Sequence, residues 1–401
     1  MTELAIDGGR PVRTTPVTGW PTFGDDEVAA VDEVLRSGRV NYWTGPHGRA
    51  FEGEFAAVVG TRYAVALSNG TMALELALLA LEIGPGDEVV VPAATFIGTA
   101  SAVVRCGARP VIADVDVDSQ CLTPETVEAV LTERTRAVVV VHLAGLPAEI
   151  EPLLRLTRSR GVRLVEDCAQ AHGARYQGRS VGGFGDIAAW SFCQDKILTT
   201  AGEGGAVSTS DVALWQRCWE LKDHGKNLTA MDPCRQPPGF RWLHDRFGTN
   251  ARMTEVQAAV GRVQLTKLDS WVRQRQANAG ILLDALRGSP GIRVVDPPGH
   301  LRHAYYKFYA RLRPSELKPS WTRDRVVAAI TAEGIPCLHG GCAEIYRERA
   351  FAVIENTPTC LPGAAELGRT SLTLPVHPAL TDDDVADVVA AVEKVLRVAR
   401  K

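Results

Sequence analysis

The residues best suited to covalent chemistry lie in AAWSFCQDKILTTAGEGGAV, residues 188–207. Lys196 follows an apolar strand pattern there and precedes Gly202, Gly204 and Gly205. Burial at a strand end disfavours the charged ammonium. The amine it leaves is a nucleophile that condenses with carbonyls. A lone lysine is ordinarily a surface cation, so this chemistry needs partners. Upstream, VRLVEDCAQAHGA (162–174) ends an apolar run on Glu166-Asp167. Ligands of parallel sheets sit at the C-terminal strand edge. A carboxylate there suits a magnesium ion, a ribose, the cap of a following helix, or the pyridinium nitrogen of pyridoxal phosphate. Paired with Lys196 at the end of a later strand, Asp167 favours the last: an amine for the aldehyde and an anion for the ring nitrogen.

Two further segments fit such a cofactor. In ALSNGTMALELALLAL (66–81) a strand gives way to a helix near Thr71, so Gly70, Thr71 and Met72 offer free backbone N–H groups beside a hydroxyl. That arrangement binds phosphate, although it is neither the dinucleotide fingerprint nor a P-loop. Phe96, in VVVPAATFIGTASAV (89–103), follows a strand and a turn, where its ring can stack on a flat cofactor or pack in the core. Metal chemistry has little support. The nine cysteines are scattered without a CxxC pair, and Cys337 and Cys342 have only His339 nearby as a further ligand. They read as reduced thiols of a cytoplasmic protein, and no metal site is expected.

These residues need a scaffold of strand ends. Short apolar runs recur at 63–68, 87–93, 110–116, 136–143, 162–167, 188–192 and 205–209. Such valine-rich runs bordered by Gly or Pro read as strands buried on both faces. Helical patterns at 71–83, 95–106, 123–133 and 147–160 separate them. Strand–helix repetition implies right-handed crossovers and a mostly parallel sheet. The expected fold is α/β: a large domain with a mostly parallel seven-stranded sheet flanked by helices, plus a smaller C-terminal α+β domain. Residues 211–249 are expected to be loop-rich, and a long helix pattern runs from Thr254 to about Leu286. Beyond it, a strand is expected at 303–312, and helices at 322–335 and 380–400. The expected division is 1–275 for the large domain and 276–401 for the small one.

Composition narrows the partners. Lys plus Arg number 44 and Asp plus Glu 47, for a net charge of −3. That balance gives no reason to expect nucleic acid or an anionic membrane. No secretory pattern and no run of about 18 apolar residues is present, so a cytoplasmic protein is expected.

In the order glycine-threonine, aromatic, aspartate, lysine, the chain resembles the DegT/DnrJ/StrS sugar aminotransferases, which use pyridoxal phosphate on the aspartate-aminotransferase fold. The resemblance runs from about Ser37 to Lys394 through LSNGTMALELAL, PGDEVVVPAATF, VHLAGLPAEI, EDCAQAHGA, SFCQDKILTTAGEGGAV, HGKNL and GTNARMTEVQAAVGRVQLTKLD. It implies that Lys196 bears the cofactor and that Asp167 holds its pyridine nitrogen. It implies that Gln170 lies beside the ring hydroxyl, Phe96 stacks on the ring, and Gly70, Thr71 and Ser191 contact the phosphate. Asn250 matches a residue that reaches the neighbouring subunit's cofactor phosphate, which implies a homodimer with shared sites. Thr249 and Ala251 stand where the family often has aromatics. The amino donor is expected to be L-glutamate or L-glutamine. The acceptor is expected to be a dTDP-4-keto-6-deoxyhexose aminated at C4, with C3 amination and a keto-inositol as alternatives. Candidates to touch it are His142, His172, His224, His303 and His339. Lys222, Lys226 and Arg252 are candidates to offset a diphosphate. Relatives that dehydrate sugars carry His in place of the lysine, so Lys196 points to amino transfer.

Overall fold

The computed structural model describes residues 3–228 and 243–401. The strands are β1 (Tyr63–Leu67), β2 (Glu88–Pro92), β3 (Arg109–Ala113), β4 (Thr135–Val141), β5 (Arg163–Asp167), β6 (Arg175–Tyr176), β7 (Arg179–Ser180), β8 (Ile187–Ser191), β9 (Gly205–Thr209), β10 (Ile292–Arg293), β11 (Leu301–Arg302), β12 (Phe308–Leu312) and β13 (Ser371–Leu374). The helices are α1 (Asp25–Ser37), α2 (His47–Val59), α3 (Gly70–Ala80), α4 (Gly98–Arg105), α5 (Pro124–Glu128), α6 (Ile150–Ser159), α7 (Val212–Lys222), α8 (Glu255–Leu286), α9 (Arg323–Ala332), α10 (Pro362–Thr370) and α11 (Asp382–Ala399).

The seven apolar runs form one sheet in the order β1-β9-β8-β5-β4-β2-β3. Only β9 runs antiparallel to its neighbours. Both faces are covered, which explains why these strands are continuously apolar. On one face, α3, α4 and α7 contribute Leu76, Val103 and Cys218 to a core that includes Val165 and Ala189. The other face carries Phe51, Phe55, Trp190 and Phe192, with α2 and the first half of α8. A separate core joins Leu282 and Leu286 of α8 to Phe308, Ile330, Val388 and Val392. Leu4, near the start of the chain, packs into that same core. The sheet β10-β12-β13 lies here, and residue 275, the expected end of the large domain, falls in the middle of α8.

Two expectations need correction. The first part of the loop-rich region is helical, because Asp211 caps α7 by accepting from the Ala213 and Leu214 N–H groups. Leu214, Cys218 and Leu221 then repeat at helical spacing on its buried side. The other is the strand expected over 303–312, which is confined to β12. His303 and Tyr305 stack instead, with ring centres 3.8 Å apart, and His303 Nδ1 accepts from the Tyr305 N–H at 2.9 Å. The remaining part of the loop-rich region, residues 229–242, lies outside the described residues.

Candidate active site

Asp167 ends β5, Ser191 ends β8, and Lys196 follows β8. Side chains alternate along a strand, so neighbouring Glu166 and Asp167 on β5 face opposite ways. Asp167 faces α4: its Oδ2 accepts from Thr99 Oγ1 at 2.9 Å, and its Oδ1 accepts from the Ala169 N–H at 3.1 Å. Among the described residues it has no ion-pair partner. Burial pushes its pKa up, against the lowering effect of these bonds and of Lys196 and His142. A cation placed against it would reverse that shift.

Glu166 belongs to the other face. It accepts from the N–H groups of Gly182 (2.7 Å), Phe184 (2.8 Å) and Gly185 (2.7 Å), and lies 3.1 Å from His142 Nε2. Burial alone would raise its pKa. His142 and these N–H groups outweigh burial and hold it below the usual range. His142, Glu166 and Cys168 lie close enough to suggest a metal site, but the bonds just described already occupy the carboxylate.

The start of α3 forms a tight cup. Asn69 caps the helix through the Met72 N–H at 2.9 Å, so this N–H, expected to be free for a phosphate, is already taken. A Cβ on Gly70 would lie 2.5 Å from the Ser191 Cβ, and one on Gly205 would lie 2.3 Å from the Asn69 carbonyl oxygen. Glycine at both places lets the helix N-terminus approach β8 and β9. Thr71 is exposed beside it. Phe96, 67% exposed, lies next to Thr71 across Gly98, a ring face available for stacking. Gln170 is held by accepting from the Ala144 N–H at 2.7 Å. Asn250 is exposed, on a segment whose backbone bridges to Asp223. A buried carboxylate without an ion-pair partner, an exposed aromatic, a helix N-terminus and a lysine together fit pyridoxal phosphate.

Lys196 reaches this site from the loop after β8 and is 16% exposed. Its Nζ is 3.3 Å from the Tyr306 hydroxyl, 4.7 Å from that ring's centre and 3.5 Å from Asp195 Oδ1. Tyr306 in turn donates a hydrogen bond to Asp195. Sequence reasoning missed Asp195, Tyr306 and Thr99. Asp195 adjoins the lysine, but Tyr306 carries no local signal. Behind the site, Gln264 of α8 accepts from the Thr199 N–H at 2.9 Å. Arg275, on the same helix, donates to the carbonyl oxygens of Tyr305 (3.2 Å) and Tyr306 (3.3 Å).

Residues 21–393 match the DegT/DnrJ/EryC1/StrS aminotransferase family. The chain belongs to that family. It is therefore an aminotransferase that depends on pyridoxal phosphate, and its substrates are of the sugar or inositol type. It is 39% identical to the L-glutamine:2-deoxy-scyllo-inosose aminotransferase of Streptomyces fradiae, over 99% of this chain and 98% of that one. It is also 39% identical to the dTDP-3-amino-3,4,6-trideoxy-alpha-D-glucose transaminase of Streptomyces venezuelae, over 91% of each. The crystal structure of an aminotransferase from Psychrobacter cryohalolentis superposes with a TM-score of 0.93 at 46% identity, over 96% of this chain and all of that one.

The predicted acceptor contacts fare differently. His142 is committed to Glu166, and His303 is stacked on Tyr305. His172 is buried between Trp190 and Phe192, where burial lowers its pKa to about 3. His224 is exposed, and His339 lies 3.5 Å from Asp324. Among the described residues, no helix is long and apolar enough to cross a membrane.

Proposed function

We propose that this aminotransferase moves an amino group from L-glutamine or L-glutamate to a keto-inositol. The carrying observation is the state of the expected diphosphate partners. Lys222 is buried against Glu52 at 3.1 Å. Lys226 and Arg252 both pair with Asp223, at 3.2 and 2.7 Å. Two carboxylates, Glu52 and Asp223, already engage these three cations and leave one net positive charge to face a diphosphate, while the carboxylate of Asp195 lies beside Lys196. An uncharged cyclic ketone meets neither obstacle. The Streptomyces fradiae relative, named for 2-deoxy-scyllo-inosose, supports the same reading. A second reading is amination at C3 of a nucleotide-linked sugar, favoured by the Streptomyces venezuelae relative. Amination of a dTDP-4-keto-6-deoxyhexose at C4 finds no support in either name and stays as an arm of the test.

In this reading Lys196 bears the cofactor and Asp167 keeps a proton on the pyridine nitrogen. Gln170 lies beside the ring hydroxyl and Phe96 stacks on the ring. The phosphate sits against Gly70, Thr71 and Ser191, with Asn250 reaching it from the other subunit of a homodimer. The cofactor unit corresponds to residues 1–275 and the smaller one to 276–401, except that Leu4, Val12 and Val17 pack with the smaller unit's core. When bound, pyridoxal phosphate supplies the electron sink that makes a substrate C–H proton removable. Lys196 Nζ takes the proton from the donor's α-carbon and later delivers one to the acceptor carbon, as base and then acid. The test charges the enzyme with L-glutamine, then offers 2-deoxy-scyllo-inosose, a 3-keto nucleotide sugar and a dTDP-4-keto-6-deoxyhexose separately. Turnover with the inosose is expected. Turnover with a nucleotide sugar and none with the inosose would overturn the proposal.

A further inference from the structure

We propose that Tyr306, anchored by Asp195, is a positioning residue for Lys196: it holds the displaced amine over the donor's α-carbon while the proton moves. The proposal rests on the role given to Lys196 above and extends the proton-transfer machinery to Tyr306 and Asp195.

The hydrogen bonds run in one direction. The Lys196 ammonium donates to the Tyr306 oxygen at 3.3 Å, and the Tyr306 hydroxyl donates to the Asp195 carboxylate. Tyr306 therefore uses its single proton on Asp195 and presents a lone pair to the lysine. Burial first, then the charge of Asp195, push the phenol far above its ordinary pKa, so it keeps that proton throughout. Asp195 stays ionised: burial would raise its pKa, but Lys196, the Tyr306 hydroxyl and Lys307 outweigh it. The ring adds to this hold, because the Lys196 Nζ lies over its face, 4.7 Å from the centre.

This arrangement belongs to the lysine while it is free, which is the state in which it works on the donor. The α-carbon C–H bond breaks, a new N–H bond forms on Nζ, and the C–H electron pair stays with the substrate, drawn toward the cofactor. The ammonium so formed is the species that Tyr306 and Asp195 receive. A lysine has four side-chain torsions to immobilise, and a fixed acceptor at 3.3 Å removes much of that freedom. The Tyr306 backbone is itself pinned, since its carbonyl oxygen accepts from the buried Arg275.

The experiment uses cofactor-loaded Tyr306→Phe, Asp195→Asn and Asp195→Glu, with Tyr305→Phe as the neighbouring control. Single-turnover conversion with L-glutamine or L-glutamate is followed by absorbance, using donor with hydrogen or deuterium on the α-carbon. Tyr306→Phe is expected to slow the conversion at least tenfold, to leave half-saturation within twofold, and to enlarge the isotope effect. Asp195→Asn should lose less, Asp195→Glu should recover part of that loss, and Tyr305→Phe should stay within twofold of the parent. If Tyr306→Phe does not hold cofactor, the half-exposed Asp195 pair carries the test alone. A Tyr306→Phe rate within twofold with an unchanged isotope effect overturns the proposal, as does a loss confined to half-saturation. For the Asp195 pair, equal rates in the Asn variant and the parent do the same. The acceptor takes no part in this half-reaction, so failure here is separate from failure of the keto-inositol reading. Loss of conversion in Lys196→Ala tests the lysine itself.

Discussion

Glu166 and Asp167 are adjacent carboxylates, one bond register apart, and their substitution should separate stability from chemistry. In Glu166→Gln one acceptor oxygen becomes an NH2 group. Placed at Oε1, it confronts the Phe184 and Gly185 N–H groups; placed at Oε2, it confronts the Gly182 N–H and the His142 Nε2 proton. His142 cannot easily turn to help, because its Nδ1 already accepts from the Ala148 N–H at 3.0 Å. Two charge-assisted bonds are lost in either orientation. At about 1.5–3 kcal/mol each, the loss is roughly 3–6 kcal/mol, a large part of a typical folding free energy. Urea denaturation of the cofactor-free protein at pH 7 measures it. The pH dependence supplies the sign. The folded pKa of Glu166 is depressed, so its contribution is present above its unfolded value of about 4.3. It is lost as pH falls through the folded value. The gap between parent and variant should therefore shrink below about pH 4. Asp167→Asn should behave oppositely. Burial raises the folded pKa of Asp167, so the ionised form costs stability, increasingly as pH rises above its unfolded value. The cofactor-free Asn variant should be no less stable than the parent at pH 7 while its turnover collapses. A Glu166→Gln loss below about 1 kcal/mol, or one that is constant from pH 7 to pH 3, would refute the reasoning.

Lys196→Ala should abolish the cofactor's bound absorbance and lower turnover by at least about 10²–10⁴-fold, read by spectrum and rate on the same sample. Phe96→Ala removes one stacking partner worth about 0.5–1.5 kcal/mol, so titration should find cofactor binding weakened roughly 2- to 13-fold at unchanged stability. Glu52→Leu strands the buried Lys222 ammonium, along with the Tyr42 hydroxyl and Ala66 N–H that bond Glu52. It should cost roughly 3–5 kcal/mol by denaturation, and adding Lys222→Met should recover much of the loss.

The parallel sheet was legible because burial on both faces leaves an apolar run, and its turn residues mark the ends. The same pattern drew attention to Asp167, which ends such a run, and to Lys196, which lies in the loop after one. Tyr306 was not legible: it approaches Lys196 from a segment 110 residues away, within HAYYKFYARL, which reads only as apolar and aromatic. Thr99 bonds Asp167 from inside a helix start, where a threonine has many ordinary uses. Helix α7 was obscured by its two tryptophans and by the Pro-rich stretch that follows, although Asp211 is a clear cap.

The long helix α8 has a metrical consequence. Gln264 grips the loop that bears Lys196, and Arg275 grips the segment that bears Tyr306. The two residues stand about three turns apart on one helix face. The helix thus sets the alignment of two distant pieces of chain as a rod with two clamps would. One inserted residue between the clamps would rotate the second by about 100° and advance it about 1.5 Å. The contact between lysine and tyrosine would break although neither residue had changed.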